Sequence, residues 1–348
     1  MAELKETVHG GDIYRNPSVT DYSVNSNPLG VPEAVRKSVQ ESADRIMYYP
    51  DVRCDRLREL ISDFERIEKE KILCGNGAAE LFFAVVMAVR PKKALVTAPA
   101  FSEYERALGT VGAEVQYYRL KEEQDFRIQE DILEQITEDT DMIFLCNPNN
   151  PTGQTTEKEL LIRVMNRCNK CGAILVLDEC FIEFLEEPER YECRGYLTQY
   201  PNVVIIKAFT KIFCMPGVRL GYALCENAAL RKRMRAMLQP WNVSVTAQEA
   251  GVAALVDCEA YLKRTREYIK KEKFWMTERM RKLGLNVWGS EANYIFFKGK
   301  AGLYEKALKS GLLIRDCNNY EGLTEGHYRI AIRSEEENER LITWLEKL

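Results

Sequence analysis

Residues 141–153 read DMIFLCNPNNPTG. Five apolar residues in succession, with no alternation, predict a strand buried on both faces, and the Asn and Pro residues that follow end it in a turn neither a strand nor a helix can continue. Further runs of the same kind lie on either side: KALVTAP (93–99), EVQYYRL (114–120), AILVLDE (173–179), VVIIKAF (203–209) and RLGYAL (219–224). Helical patterns at 78–89, 102–111 and 156–171 separate several of them. Strands alternating with helices predict an α/β domain, a mostly parallel sheet with helices on both faces. Beyond Pro240 the pattern changes to long charged helices (245–283), short strands near 285–288, 293–297, 312–315 and 328–332, and a closing amphipathic helix (334–348), a smaller α+β domain. Residues 1–30 show no periodicity and read as an extended arm, so the expected division is 1–30, 31–240 and 241–348.

Composition narrows the chemistry. The 348 residues contain two histidines, His9 and His327, at opposite ends of the chain, which excludes a three-histidine metal site. No metal is expected. Charge is nearly balanced, with 49 Lys and Arg against 53 Asp and Glu, so no field attracts nucleic acid; small molecules and other subunits are the expected partners. Eleven cysteines, an odd number without scaffold spacing, fit reduced thiols, and Cys168 and Cys171 have no second pair at zinc spacing. The longest apolar run (81–89) is half the length needed to cross a bilayer, and a cytoplasmic protein with no membrane association is expected.

In parallel sheets ligands sit beyond the carboxyl ends of the strands. Gly75-Asn76-Gly77-Ala78-Ala79-Glu80 leads into a helix whose first N–H groups suit a phosphate, although a plain capping turn reads the same way. Asp178 and Glu179 close a buried strand, where a carboxylate needs a cation or a ligand. Lys211, among Thr210, Ile212 and Phe213, is placed for desolvation, which turns an amine into a Schiff-base nucleophile. Phe101 in APAFSEY offers a ring face at a strand end; it suits a core position equally.

In this order GNGAAE, APAFSEY, NPNNPTG, DE-x-F, T-K and R-x-G-Y resemble, over nearly the whole chain, the aspartate-aminotransferase fold (fold type I, class I/II) of pyridoxal-phosphate enzymes. The resemblance implies pyridoxal 5'-phosphate as cofactor. It implies that Lys211 binds the cofactor covalently and later moves protons, that Asp178 pairs with the pyridine nitrogen, that Asn150 bonds the ring hydroxyl and that Phe101 stacks on the ring. Ala78, Ala79, Thr210 and Arg219 would hold the phosphate, charge-assisted contacts worth about 1.5–3 kcal/mol. Tyr49 in YYPD resembles a tyrosine that reaches the neighbouring subunit's cofactor phosphate, which implies a homodimer.

Within this fold the chain is similar to threonine-phosphate decarboxylases and histidinol-phosphate aminotransferases. HGGD (9–12), NSNPLG (25–30), AFSEYERAL (100–108), PWNVS (240–244), ANYIFF (292–297), LLIRDCNNYEGL (312–323) and YRIAIRS (328–334) resemble the decarboxylases. So does Phe181, where aminotransferases of the fold carry a tyrosine. Three departures stand out: Asp12 for an asparagine, Lys207 for an arginine, and Ala208 for a hydroxyl residue, the last two implying a weakened or rearranged phosphate cup. Period-two alternation puts Arg329 and Arg333 on one face, so at least one guanidinium can face the cleft. By resemblance Arg333 meets the substrate carboxylate, Arg315 the substrate phosphate, and His9 and Asn25 complete the substrate site. The implied activity is decarboxylation of O-phospho-L-threonine to 1-amino-2-propanol O-2-phosphate, a precursor in cobalamin biosynthesis; the alternative is an aminotransferase acting on histidinol phosphate or another amino acid with 2-oxoglutarate.

Overall fold

The computed structural model describes residues 9–348, so the first eight residues of the expected arm lie outside the described residues. The rest of the arm carries a short strand, β1 (Thr20–Asp21). Seven strands form the main sheet: β2 (Ile72–Gly75), β3 (Lys93–Ala98), β4 (Glu114–Arg119), β5 (Met142–Cys146), β6 (Ile174–Asp178), β7 (Val203–Ala208) and β8 (Gly221–Cys225). They lie in the order β2-β8-β7-β6-β5-β3-β4. Every pairing from β4 to β7 is parallel, and β8 alone runs against its neighbours.

The apolar runs are explained by burial on both sides. Ile143 and Leu145 of β5 join Leu175 and Leu177 of β6 in one core, beneath the helices Lys158–Cys171, Glu33–Glu41, Asp55–Glu65 and Val245–Leu255. Met142, Phe144 and Val176, one residue out of step, join the opposite core with the helices Gly77–Val89, Glu103–Gly109 and Ala228–Met237. Each such side chain fully buried contributes about 1.5–3 kcal/mol, and no polar face remains to alternate with. Val245–Leu255 packs on the first two helices so closely that a Cβ at Gly251 would lie 2.8 Å from Leu57 Cδ1.

The C-terminal part is an antiparallel sheet in the order β12-β13-β10-β9, built from β9 (Asn286–Val287), β10 (Tyr294–Lys298), β12 (Arg315–Asp316) and β13 (His327–Ala331). Strand β11 (Leu312–Leu313) instead pairs parallel with β1 and so fastens the arm. The helix Glu335–Leu345 starts at a capping box between Ser334 and Glu337, worth about 1 kcal/mol. His327 is a core residue here, stacked on Trp288 and Phe296 with both centroids at 5.8 Å. All eleven cysteines are free thiols. Among the described residues no helix is long and apolar enough to cross a membrane.

Candidate active site

A cavity of about 400 Å³ opens beyond the carboxyl ends of β5, β6 and β7. His9, Asn25, Ala78, Ala79, Phe101, Asn150, Asp178, Thr210, Lys211, Arg219 and Arg315 all line it. Residues scattered over three hundred positions converge because parallel strands deliver every strand-to-helix turn to the same end of the sheet.

One wall is a cradle for an anion. The helix Gly77–Val89 presents the N–H groups of its first turn, which have no intrahelical acceptor. The turn is tightened by Glu80, whose Oε2 accepts from Asn76 N–H at 2.6 Å. Gly77 has φ +80°, and a Cβ there would lie 2.4 Å from Arg219 Nη2. The guanidinium therefore lies against bare backbone. Gly221 serves the same wall: its Cβ would fall 2.7 Å from the Ala78 nitrogen. Gly77 of GNG-x and Gly221 of R-x-G-Y are explained by close approach, and the cradle that results suits a phosphate.

Asp178 stands at the floor, 4 % exposed. Its Oδ1 accepts from Cys180 N–H at 2.9 Å, and its Oδ2 from the hydroxyl of Tyr104. Burial nonetheless raises its pKa above the ordinary value, against the pull of those hydrogen bonds. A carboxylate so placed accepts a proton or a protonated ring nitrogen. Lys211, in the short helix Phe209–Ile212, is shifted the other way: burial first, then the guanidinium of Arg329, lower its amine to about 8. No carboxylate of the described residues lies within 4 Å of its Nζ. The amine is thus neutral, and so nucleophilic, in a far larger fraction near neutral pH than an ordinary lysine's.

The NPNNPTG segment forms a buried turn in which each asparagine has a task. Asn147 Oδ1 accepts from Thr156 N–H at 2.9 Å, and Asn149 Nδ2 reaches Pro99 O at 3.1 Å and Thr152 Oγ1 at 2.9 Å. Asn150 is left facing the cavity, its Oδ1 accepting from Arg329. That arginine is 6 % exposed, donates to Ser23 O at 2.7 Å and lies over the Tyr294 ring at 5.4 Å. Among the described residues three buried polar atoms of the lining, Asn25 Oδ1, Glu103 Oε1 and Arg329 Nε, have no hydrogen-bond partner, as in a site shaped for a ligand. Phe181, buried, lines the cavity and meets Tyr294 edge-on at 5.2 Å, so it brings no hydroxyl.

Three expected features fall elsewhere. Arg333 is not in the lining; its Nη2 lies 3.1 Å from Glu337 Oε1, because β13 has ended and the chain is turning into the last helix. Tyr49 is 78 % exposed and stacked on Trp241, with centroids 4.5 Å apart. Lys207 takes no part in the anion cradle. Its side chain lies among Glu65 at 2.9 Å, Glu183 at 3.1 Å and Glu179 at 3.9 Å, so exchange of its ammonium for a guanidinium does not alter the cup. Ala208 does line the cavity.

Tyr104 and Asn27 were not expected as site residues, and Arg329 only as one of two guanidiniums of which at least one can face the cleft. Tyr104 lies three residues after Phe101, one helical turn on, and its stacking on Phe144 at 4.9 Å aims the hydroxyl at Asp178. Asn27, inside NSNPLG, donates to Ile212 O at 2.7 Å and to Lys211 O through its own N–H at 3.1 Å, bracing the lysine from the arm. Only the helical spacing offered a signal for Tyr104, and only the strand alternation for Arg329.

Comparison with known proteins agrees with this geometry. Residues 17–345 match the family model described as aminotransferase class I and II. The chain is 35 % identical to the threonine-phosphate decarboxylase of Salmonella typhimurium over 354 residues, covering 98 % of this chain and 96 % of that one. Among solved structures, histidinol-phosphate aminotransferase from Clostridium acetobutylicum superposes with a TM-score of 0.87 at 31 % identity, covering 94 % of this chain and 98 % of that one. L-threonine-O-3-phosphate decarboxylase from Porphyromonas gingivalis gives 0.82 at 25 %, with 94 % and 98 % covered. The free first-turn N–H groups beside Arg219, the acid at the floor and the desolvated lysine fit a phosphorylated pyridine aldehyde. The chain therefore belongs to the class I and II aminotransferase family, on the type I fold of pyridoxal-phosphate-dependent enzymes.

Proposed function

We propose that the protein decarboxylates O-phospho-L-threonine to 1-amino-2-propanol O-2-phosphate, a step of cobalamin biosynthesis. The observation that carries this reading is the cavity lining, in which His9 and Gly10 of the arm come together with Arg315 and Phe181. Similarity to the Salmonella decarboxylase supports it.

When bound, the cofactor supplies an electron sink conjugated to the substrate's α-carbon. The protein's own residues choose which bond breaks. Ala78, Ala79, Thr210 and Arg219 would hold the cofactor phosphate, Phe101 would cover the ring, Asn150 would bond the ring hydroxyl and Asp178 would keep the ring nitrogen protonated. Arg329, buried against Asn150, would grip the substrate carboxylate and orient it so that carbon dioxide is the group released. Arg315, 7 % exposed beside Tyr320, meets the phosphate. Lys211 Nζ then delivers the proton that replaces the lost carboxylate.

The protein acts as a cytoplasmic homodimer in this reading. Ile46, Met47, Tyr48, Tyr49 and Val52 are exposed beside Trp241, an apolar edge that a second copy would cover, bringing Tyr49 towards the partner's cofactor phosphate. Sedimentation at micromolar concentration checks the dimer. A second reading, transamination of histidinol phosphate or another amino acid with 2-oxoglutarate, is favoured by the TM-score of 0.87 to the Clostridium enzyme. Protein loaded with cofactor is incubated with phosphothreonine and, separately, with histidinol phosphate plus 2-oxoglutarate. Carbon dioxide is expected from the first; glutamate from the second without carbon dioxide from the first selects the aminotransferase.

A further inference from the structure

Among the described residues two carboxylates line the cavity, and the chemistry above uses only Asp178. The other is Glu103, 6 % exposed, at the start of the helix that follows Phe101. A carboxylate facing a site for a phosphorylated amino acid opposes its ligand, since like charges in a cleft repel. It does not face the site uncompensated. Glu103 Oε1 lies 3.1 Å from His9 Nε2, and Oε2 lies 3.5 Å from Arg106 Nη1. The nearness of His9 is the foremost cause holding the Glu103 carboxyl below its ordinary range.

His9 arrives on a segment shaped to lie flat. A Cβ at Gly10 would fall 2.6 Å from Ser23 O, while Gly11 takes φ +90° and donates to Ser23 Oγ at 2.8 Å. Ser23 Oγ is held in turn by Asp21 Oδ1 at 2.6 Å. The two glycines press the arm onto the protein, and His9 is the side chain that reaches across to the helix carrying Glu103. Its ring centroid is 6.2 Å from that of Phe101.

We propose that Glu103 is the positioning residue of the arm: it captures His9, whose ring nitrogen shields the carboxylate from the cavity and caps its mouth on the side that receives the substrate's phosphate. The inference rests on the phosphorylated-substrate reading for its effect on binding, while the fastening itself does not.

Four variants test it on cofactor-loaded protein with phosphothreonine: His9→Ala, Glu103→Gln, Glu103→Asp and the double His9→Ala/Glu103→Gln. His9→Ala uncovers a buried carboxylate and raises KM about thirtyfold, more than it lowers kcat, whereas Glu103→Gln raises KM about fivefold. The double variant is no worse than His9→Ala, because the repulsion has gone with the charge. Glu103→Asp, which keeps the charge but withdraws it from His9, exceeds Glu103→Gln in KM. Factors that multiply in the double variant, or Glu103→Asp better than Glu103→Gln, overturn the proposal. Hydrogen exchange gives a readout independent of substrate: amide protection of residues 10–15 drops in Glu103→Gln and in His9→Ala alike. Unchanged protection in Glu103→Gln overturns the fastening. No turnover of phosphothreonine by the unmodified protein, with protection lost as expected, overturns the function and leaves the fastening standing.

Discussion

Two lysines four residues apart, Lys207 in β7 and Lys211 in the short helix that follows it, meet opposite fates. Lys207 is 2 % exposed and surrounded by Glu65, Glu183 and Glu179. Burial alone would discharge it, but the carboxylates outweigh burial and raise its pKa. One neighbour yields in its place: burial pushes the Glu179 carboxyl up to about 8. Arg194 at 2.8 Å and the hydroxyl of Tyr222 complete the hold on Glu65. Lys211 is also desolvated, and with Arg329 and Arg219 adding to burial against the weaker pull of Cys180 and Asp21, its amine falls to about 8. Burial therefore does not decide whether a lysine is structural or chemical; the sign of what is buried with it does.

Replacing each lysine sharpens the contrast. Lys211→Ala should lower turnover by about four orders of magnitude, the upper range for a positioned proton-transfer group, and abolish the visible absorption of the loaded protein. Its unfolding free energy should not fall, since no partner loses a charge. Lys207→Met should do the reverse: a loss of about 3–5 kcal/mol in chemical denaturation, from the carboxylate left uncompensated at Glu65, with cofactor uptake per folded molecule retained. Equal losses of stability in the two variants would break the comparison.

Tyr104→Phe removes a hydrogen bond that holds the Asp178 carboxyl down, so that pKa should rise further. A kcat/KM lower by about tenfold to a hundredfold corresponds to the roughly 1.5–3 kcal/mol of a hydrogen bond to a charged group. Steady-state kinetics over a pH series checks both. The smallest effect belongs to pH. Because the Lys211 amine is lowered to about 8, its neutral fraction grows as pH rises through that value. Apoprotein should take up pyridoxal phosphate about fivefold faster at pH 8 than at pH 7, with little gain beyond pH 9, in stopped-flow absorbance. The same lowering makes folding release a proton between pH 8 and the ordinary lysine range, so stability from this group rises with pH across that window.

The sheet was legible because its strands are buried on both faces and leave unbroken apolar runs, and the ligand end was legible because turns there carry unusual residues. What escaped the sequence depends on partners far along the chain. Nothing near Lys207 reveals Glu65, 142 residues away, which separates it from the cavity-facing Lys211. Alternation correctly grouped Arg329 with Arg333, but it holds only inside a strand: β13 ends at Ala331, and Arg333 is drawn off by Glu337. Tyr104 required knowing that Phe144 lies beneath it.

The reversed strand β8 carries a last consequence. It returns directly from the Lys211 turn, with Ala208 opposite Gly221, so the lysine and Arg219 are joined by one tight connection rather than by a helical crossover. The distance between the group that reacts with the cofactor and a group that anchors it is set by the number of residues in a single loop. A one-residue insertion or deletion between 212 and 218 should be far less tolerated than one in the connection after β4, making this segment a ruler whose length evolution can hardly edit.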